Sequence, residues 1–387
     1  MPPLTLILAT LSLGIWVYLL AGRGGYWRVR RFVADGDAAE APREWPAVVA
    51  IVPARNEAEN VAQTIRALLQ QDYPGRLSIV LVDDHSEDGT AEVARQAARE
   101  CGGAARVRVH AAAALPGGWA GKVWAMAQGV AGGAEPAPGF YWFTDADVAP
   151  APETLRRMVC RAERDALDLA SLMVFLQTWT FPERALIPAF LFFFLQLYPP
   201  RWIADPRART AGAAGGCILL RREALERIGG FQAIRGEVID DCALARAVKK
   251  SGGRIWMGLS RVSVSVRVYG RFAEIEQMIA RTAFTQLRYS ALQLGGAVAG
   301  LLVTYVAPVV LALGAHAPAR WLGLGAWLLM AAGFAPALRF YRQSLLWAPL
   351  LPLIALFYLA ATLDSATRYW FGQGGEWKGR AQAPHPG

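Results

Sequence analysis

The chain reads as an α/β protein: a doubly wound, mixed but mostly parallel sheet, with membrane-crossing helices before and after it. Three observations predict this. Between residues 47 and 170, short β-branched or aromatic runs alternate with segments of helical spacing, the order that gives parallel strands joined by right-handed helical crossovers. Apolar stretches at 4–21 and beyond 291 have the length needed to cross a bilayer, about 20 residues. Acidic residues gather where the runs end, at the sheet edge where such folds place ligands.

Composition agrees with a membrane protein that has a non-membrane middle. Of 387 residues, 54% are hydrophobic and 18% charged, against roughly 25% charged in an ordinary soluble domain. The net charge of +9 comes from basic residues that border apolar segments. Attraction to anionic lipid headgroups accounts for it, and no nucleic-acid partner is expected. Cysteines at 101, 160, 217 and 242 lack C-x-x-C pairing, so neither a zinc site nor a disulfide framework is predicted. The histidines at 85, 110, 316 and 385 show no metal-ligand spacing.

Taken in order, residues 1–22 form an apolar anchor followed by Arg23, Arg28, Arg30 and Arg31. That asymmetry predicts a retained helix with the next domain in the cytoplasm. A basic and polar linker occupies 23–46. Ala47–Val52 is a continuous apolar strand ending at Pro53-Ala-Arg-Asn-Glu57, and Ala58–Gln70 has helical spacing. Leu77–Val82 is a second strand, ended by Asp83-Asp84-His-Ser86-Glu-Asp88-Gly89-Thr90, with a helix over 90–100. Ser86 and Asp88 are read as helix caps. Val107–His110 and Phe140–Thr144 complete the series, the latter running into Asp145-Ala-Asp147. Aspartates two apart in a strand face opposite ways, so a turn is required before both serve one ligand. Two hard oxygen donors of this kind suit Mg²⁺ or Mn²⁺, although an isolated Asp-x-Asp is also simply an Asx turn.

No G-x-G-x-x-G and no P-loop pattern is present, so phosphates need another cradle. Leu115-Pro-Gly-Gly-Trp-Ala-Gly121-Lys122 supplies one: its glycines permit close backbone approach, and Lys122 lies near a helix start. A helix over 151–170 and a strand over 169–176 follow. The stretch 181–200 is short and interrupted by proline, which predicts a helix lying in the membrane interface. Asp240-Asp241 stands at a helix start, where capping explains one carboxylate better than two. One of the two is suited to take a proton from an attacking hydroxyl. Residues 271–290 are amphipathic and basic, 291–371 hold three further spans, and 372–387 is expected to be a disordered tail.

Together, Pro53-Ala-Arg-Asn-Glu57, Val82-Asp-Asp-His-Ser-Glu-Asp-Gly-Thr90, Gly121-Lys122, Thr144-Asp-Ala-Asp147 and Asp240-Asp241 resemble the inverting glycosyltransferases of family 2, which have the GT-A fold. Within that family the chain resembles the ceramide-glucosyltransferase-like branch and its hopene-associated glycosyltransferases. The resemblance covers 47–270 as a cytoplasmic GT-A domain and extends to about 290. It implies a membrane hexosyltransferase of the bacterial inner membrane that moves a sugar from a nucleotide sugar, a UDP-sugar, to a lipid hydroxyl, in hopanoid biosynthesis. It implies that Pro53, Glu57, Asp83 and Asp84 hold the nucleoside, with Asp145 also near the nucleotide sugar. Lys122 would contact the diphosphate. Asp147 and Asp145 would bind the divalent metal, and Asp241, or Asp240 beside it, would be the base. Gln286, Arg288 and Tyr289 stand where the family closes the site with Gln/Arg-x-x-Arg-Trp, one residue short and with Tyr for Trp. Two other readings fit the same residues: transfer to a polyprenyl phosphate, and a non-catalytic nucleotide-sugar-binding membrane component.

Overall fold

Along the chain run α1 (Pro3–Ala21), β1 (Val48–Ala54), α2 (Val61–Leu69), β2 (Leu77–Asp83), α3 (Thr90–Glu100), β3 (Val107–Ala111), α4 (Gly121–Ala131) and β4 (Phe140–Thr144). Next come β5 (Val148–Ala149), α5 (Thr154–Arg164), β6 (Leu169–Phe175), α6 (Phe181–Leu197), α7 (Pro200–Ala204), β7 (Cys217–Arg221), α8 (Arg222–Arg227), α9 (Asp240–Lys250) and β8 (Ile255–Ser265). The helices α10 (Phe272–Gln286), α11 (Ala291–Leu301), α12 (Ala307–Gly314), α13 (Ala319–Phe340) and α14 (Leu351–Trp370) follow. The structure, a computed structural model, describes residues 3–36, 40–132, 138–372, 376–377 and 380–381. Most of the tail predicted at 372–387 lies outside the described residues, as do residues 37–39 of the linker.

The chain divides into two compact units. One holds residues 32–177, 202–267 and 376–387. Its sheet has the strand order β3-β2-β1-β4-β7-β6-β8-β5. β3, β2, β1 and β4 pair in parallel, as the alternating pattern predicted. β7 runs antiparallel to both β4 and β6, while β6 and β8 are parallel, so the sheet is mixed but mostly parallel. All seven residues of β1 are buried, which is why that run is uniformly apolar instead of alternating. Trp142 of β4 is fully buried, and its indole N–H points at Cys217 Sγ of β7, 3.2 Å away. Helix α4 lies against β1 and β2 through Gly129, where a Cβ would come 2.5 Å from Ile51 and 3.1 Å from Val82.

The other unit holds Met1–Arg31, Thr178–Arg201 and Val268–Gly375. Here several polar side chains hydrogen-bond to backbone carbonyls of distant helices. Ser12 Oγ donates to Val303 O at 2.8 Å, Trp16 Nε1 to Thr304 O at 2.7 Å, and Tyr358 Oη to Leu186 O at 3.0 Å. Leu302–Val306 forms a π-turn between α11 and α12. Thr180 and Glu183 form a capping box at the start of α6, and Glu183 Oε1 also accepts from Tyr269 N at 2.7 Å.

Among the described residues five helices have the length and composition to cross a membrane: Leu4–Ala21, Phe181–Ala204, Ala291–Gly314, Ala319–Phe340 and Leu345–Trp370. The sequence reading has four spans, give or take one, with 181–200 in the interface; by length and composition that segment is also a candidate span, Pro182 sitting in the first turn, where its missing N–H costs nothing, and Pro188 not ending the helix.

Candidate active site

The carboxyl ends of β1 and β2 are laced together by short polar side chains. Asp84 N donates to Ala54 O at 2.8 Å, and Arg55 Nη1 donates to Asp84 O at 2.5 Å. Asn56 adopts a left-handed conformation (φ 49°), which asparagine tolerates better than most residues. Its N–H donates to Ser86 Oγ at 3.0 Å, and its Oδ1 accepts from Glu87 N at 2.9 Å. Thr90 Oγ1 accepts from Glu57 N at 2.8 Å, while Asp88 accepts from Ala58 N and Thr90 N at 2.9 and 3.0 Å. Ser86 and Asp88 therefore hold backbone, but neither is the helix cap expected: Gly89 stands at the N-cap of α3, which has no side-chain cap, and Ser86 accepts from the loop after β1. Asp83 Oδ1 accepts from Ser86 N at 3.3 Å, and Asp84 is fully buried beside His85. This lacing replaces the first turn of the helix expected from Ala58, so α2 begins only at Val61.

A turn at the end of β4, closed by Val148 N donating to Asp145 O at 3.2 Å, supplies the reversal that the two aspartates require. The Lys122 ammonium lies 2.7 Å from Asp145 Oδ1 and 3.5 Å from Asp240 Oδ2. Asp147 Oδ2 accepts from Arg267 Nε at 2.6 Å, and Arg267 Nη2 donates to Glu57 Oε1 at 2.5 Å. Asn60 steadies the other Glu57 oxygen at 3.2 Å. Asp241 accepts from two backbone donors, Gly215 N at 2.8 Å and Cys242 N at 2.6 Å. A side chain at position 215 would meet this carboxylate: its Cβ would be 3.1 Å from Asp241 Oδ2 and 3.5 Å from Lys122 Nζ.

Electrostatics separate the roles of these groups. Burial and the neighbouring Asp240 charge push Asp241 up to about 6, against the lowering effect of Lys122 and the two backbone N–H groups. Burial followed by the charge of Asp145 raises Asp147, although Arg267 opposes both. Burial alone would lower the Lys122 ammonium, but Asp145 and Asp240 outweigh it and hold the group above its ordinary value. The result is one carboxyl poised near neutrality beside a cation that stays charged.

The sheet unit thus brings Pro53, Glu57, Asp83, Asp84, Lys122, Asp145, Asp147, Asp240 and Asp241 onto strand ends and helix starts, with Pro53 inside β1. Gln286, Arg288 and Tyr289 belong to the other unit. There Gln286 donates to Tyr198 Oη at 2.6 Å, and Tyr289 stacks on Tyr369 with ring centroids 4.3 Å apart. Two participants were not anticipated. Arg267 follows β8, a strand whose Val262-x-Val264-x-Val266 alternation is a recognisable β signal ending in a basic residue. Gly215 lies in the small-residue run 212–216, which carries no signal of its own for a site.

Among the described residues no group of three or more His, Cys, Asp or Glu side chains is arranged to hold a metal ion. Two carboxylates on one turn, Asp145 and Asp147, still fit a hard divalent cation. Such ions commonly take one or two protein carboxylates and complete their shell with water and substrate phosphates.

Comparison with known proteins agrees with this architecture. The mannosyltransferase PcManGT from Pyrobaculum calidifontis, in complex with GDP-Man and Mn2+, has a similar fold: TM-score 0.51 and 21% identity, over 92% of this chain and 98% of that one. The "Glycosyltransferase AglE" of Haloferax volcanii is 44% identical over 52 residues, 13% of this chain and 17% of that protein. The "Probable glycosyltransferase YdaM" of Bacillus subtilis is 35% identical over 98 residues, 24% of this chain and 23% of that protein. The chain thus spans less than a quarter of the length of the curated relatives it matches. The family described as "Glycosyltransferase like family 2" matches residues 46–299, about two thirds of the chain. The chain belongs to that glycosyltransferase family.

Proposed function

We propose that this chain is an inverting glycosyltransferase that moves a hexosyl group from a nucleotide sugar, a UDP-sugar, to the hydroxyl of a membrane lipid. The observation that carries this reading is the cluster in which Lys122 lies between Asp145 and Asp240, with Asp241 beside it on Gly215. It supplies a cation for a diphosphate and a carboxyl poised to accept a proton, as displacement by a hydroxyl requires. The metal and nucleotide sugar held by the Pyrobaculum mannosyltransferase support a metal-dependent donor site. The five apolar helices support a lipid acceptor, and the hopanoid class is the one implied by the sequence resemblance.

In this reading Glu57, Asp83 and Asp84, beside Pro53, bind the nucleoside. Asp147, with Asp145, would hold Mg²⁺ or Mn²⁺, which when bound would supply positive charge for the leaving diphosphate. Asp241 removes the proton from the acceptor hydroxyl as its oxygen attacks the anomeric carbon. The bond from that carbon to the diphosphate oxygen breaks on the opposite face, which inverts the configuration. Lys122 contributes fixed positive charge to the departing diphosphate and needs no proton to do so. Gln286, Arg288 and Tyr289 are assigned to acceptor or donor closure. The sheet unit is placed on the cytoplasmic side of a bacterial inner membrane, because arginines 23, 28, 30 and 31 follow the first apolar helix.

The test is transfer by the detergent-purified chain, with UDP-sugars and GDP-mannose as donors and either neutral lipids or polyprenyl phosphate as acceptor. The reading expects transfer to a hydroxyl lipid that is lost in Asp241→Asn. Transfer only to polyprenyl phosphate, undiminished in Asp241→Asn, would favour an already ionised acceptor. Donor binding without turnover on any acceptor would favour a non-catalytic component.

A further inference from the structure

Arg267 stands where the proposed metal would draw its charge. Its guanidinium spans Asp147 Oδ2 (2.6 Å) and Glu57 Oε1 (2.5 Å), using two different nitrogens. These side chains retain only 26%, 17% and 10% of their exposure for Arg267, Asp147 and Glu57. The pairing is anchored from the backbone too, since Val266 N donates to Asp147 O at 2.8 Å. Asp147 is also close enough to feel the charge of Asp145. Without a cation, three carboxylates from two strand ends would repel one another in a partly desolvated space. Arg267 supplies that cation to Asp147 and Glu57, as Lys122 does to Asp145. A fork of donors suits such bridging better than a point charge does.

We propose that Arg267 is a resident counter-cation that competes with the divalent ion for Asp147, so that metal binds tightly only together with a nucleotide diphosphate. The inference rests on the assignment of Asp147 as metal ligand. A nucleotide diphosphate brings negative charge that can receive the guanidinium when it leaves Asp147, and this makes ion and nucleotide mutually dependent. The dependence is reciprocal: whatever factor UDP adds to metal affinity, metal adds to UDP affinity.

The experiment titrates Mn²⁺ into the full-length chain in detergent and follows the free aquo-ion by electron paramagnetic resonance, with and without UDP. Wild type is expected to bind Mn²⁺ weakly alone and more tightly with UDP, by a factor in the usual coupling range of roughly 5–150-fold. Arg267→Gln is expected to bind Mn²⁺ alone about tenfold more tightly than wild type, with the UDP enhancement reduced to match. Arg267→Lys keeps the charge but not the two-point bridge and is expected to lie between, which preserves the test should the glutamine variant fold poorly. Equal Mn²⁺ affinity of wild type and both variants without UDP overturns the inference. Asp147→Asn separates the two levels. If it abolishes Mn²⁺ binding while the Arg267 variants bind as wild type does, only the competition fails. If it leaves Mn²⁺ binding intact, the metal assignment and the inference fail together.

Discussion

The ammonium of Lys122 lies 2.7 Å from the carboxylate of Asp145 and joins the start of α4 to the turn after β4. Both partners sit on short segments at the end of one sheet, and Asp240 at the start of α9 completes the contact at 3.5 Å. Replacing Lys122 with methionine keeps the length and removes the charge. Loss of one preorganised electrostatic group at a site of developing charge lowers kcat by about 10²–10³-fold. Steady-state kinetics at saturating donor checks this, and Lys122→Arg is expected to recover part of the loss.

The position of Asp241 sets a pH dependence. Burial and Asp240 push its carboxyl up to about 6, and as the proposed base it would act only when ionised, so kcat/KM is expected to rise with pH through about 6 and level off above it. Asp241→Asn should remove both the rise and most of the activity. The same shift has a stability consequence of opposite sense. An unfolded aspartate titrates near about 4, so between that value and about 6 the folded chain binds more protons than the unfolded one. Stability contributed by this group therefore declines as pH rises through that window. A pH series of thermal midpoints for wild type and Asp241→Asn isolates the effect.

Two glycines should respond to alanine in different ways. At Gly215 the new Cβ meets Asp241 and Lys122, so Gly215→Ala is expected to cut activity with little change in thermal midpoint. At Gly129 it meets Ile51 at 2.5 Å inside the α4–sheet packing. Overpacking of this kind costs about 1–3 kcal/mol, so Gly129→Ala should lower the midpoint first and activity only in consequence. Differential scanning calorimetry run beside an activity assay distinguishes the two.

Placement of the sheet unit can be read from its cysteines. Cys101 is exposed, whereas Cys160, Cys217 and Cys242 are buried. With the unit on the cytoplasmic side, a membrane-impermeant maleimide should leave Cys101 unlabelled in intact spheroplasts and label it after lysis. Labelling before lysis would reverse the assigned orientation.

Much of this was legible in the sequence for identifiable reasons. Val48–Ala54 is buried on both faces, and so it appears as an unbroken apolar run; Asp83 and Asp145 mark strand ends because the chain leaves the buried sheet there. What the sequence concealed were interactions made across long separations. Arg267 finds Glu57 over 210 positions, and nothing local announces that pairing. The antiparallel placement of β7 between β4 and β6 was hidden likewise, since a five-residue strand carries no signal of direction. In Phe181–Leu197 the prolines do not act alike: Pro182 occupies the tolerated first turn and Pro188 leaves the helix continuous, whereas the helix ends before Pro199 and Pro200.

The central claim is that Asp241 drives transfer of a sugar onto a lipid hydroxyl, and the most direct measurement is mass analysis of a lipid extract. The purified chain would be incubated with membranes, Mn²⁺ and a panel of nucleotide sugars. The account predicts that one donor adds a single glycosyl mass to one lipid class, and that this product disappears with Asp241→Asn. No mass gain in any lipid with any donor, or the same gain with Asp241→Asn, would contradict it.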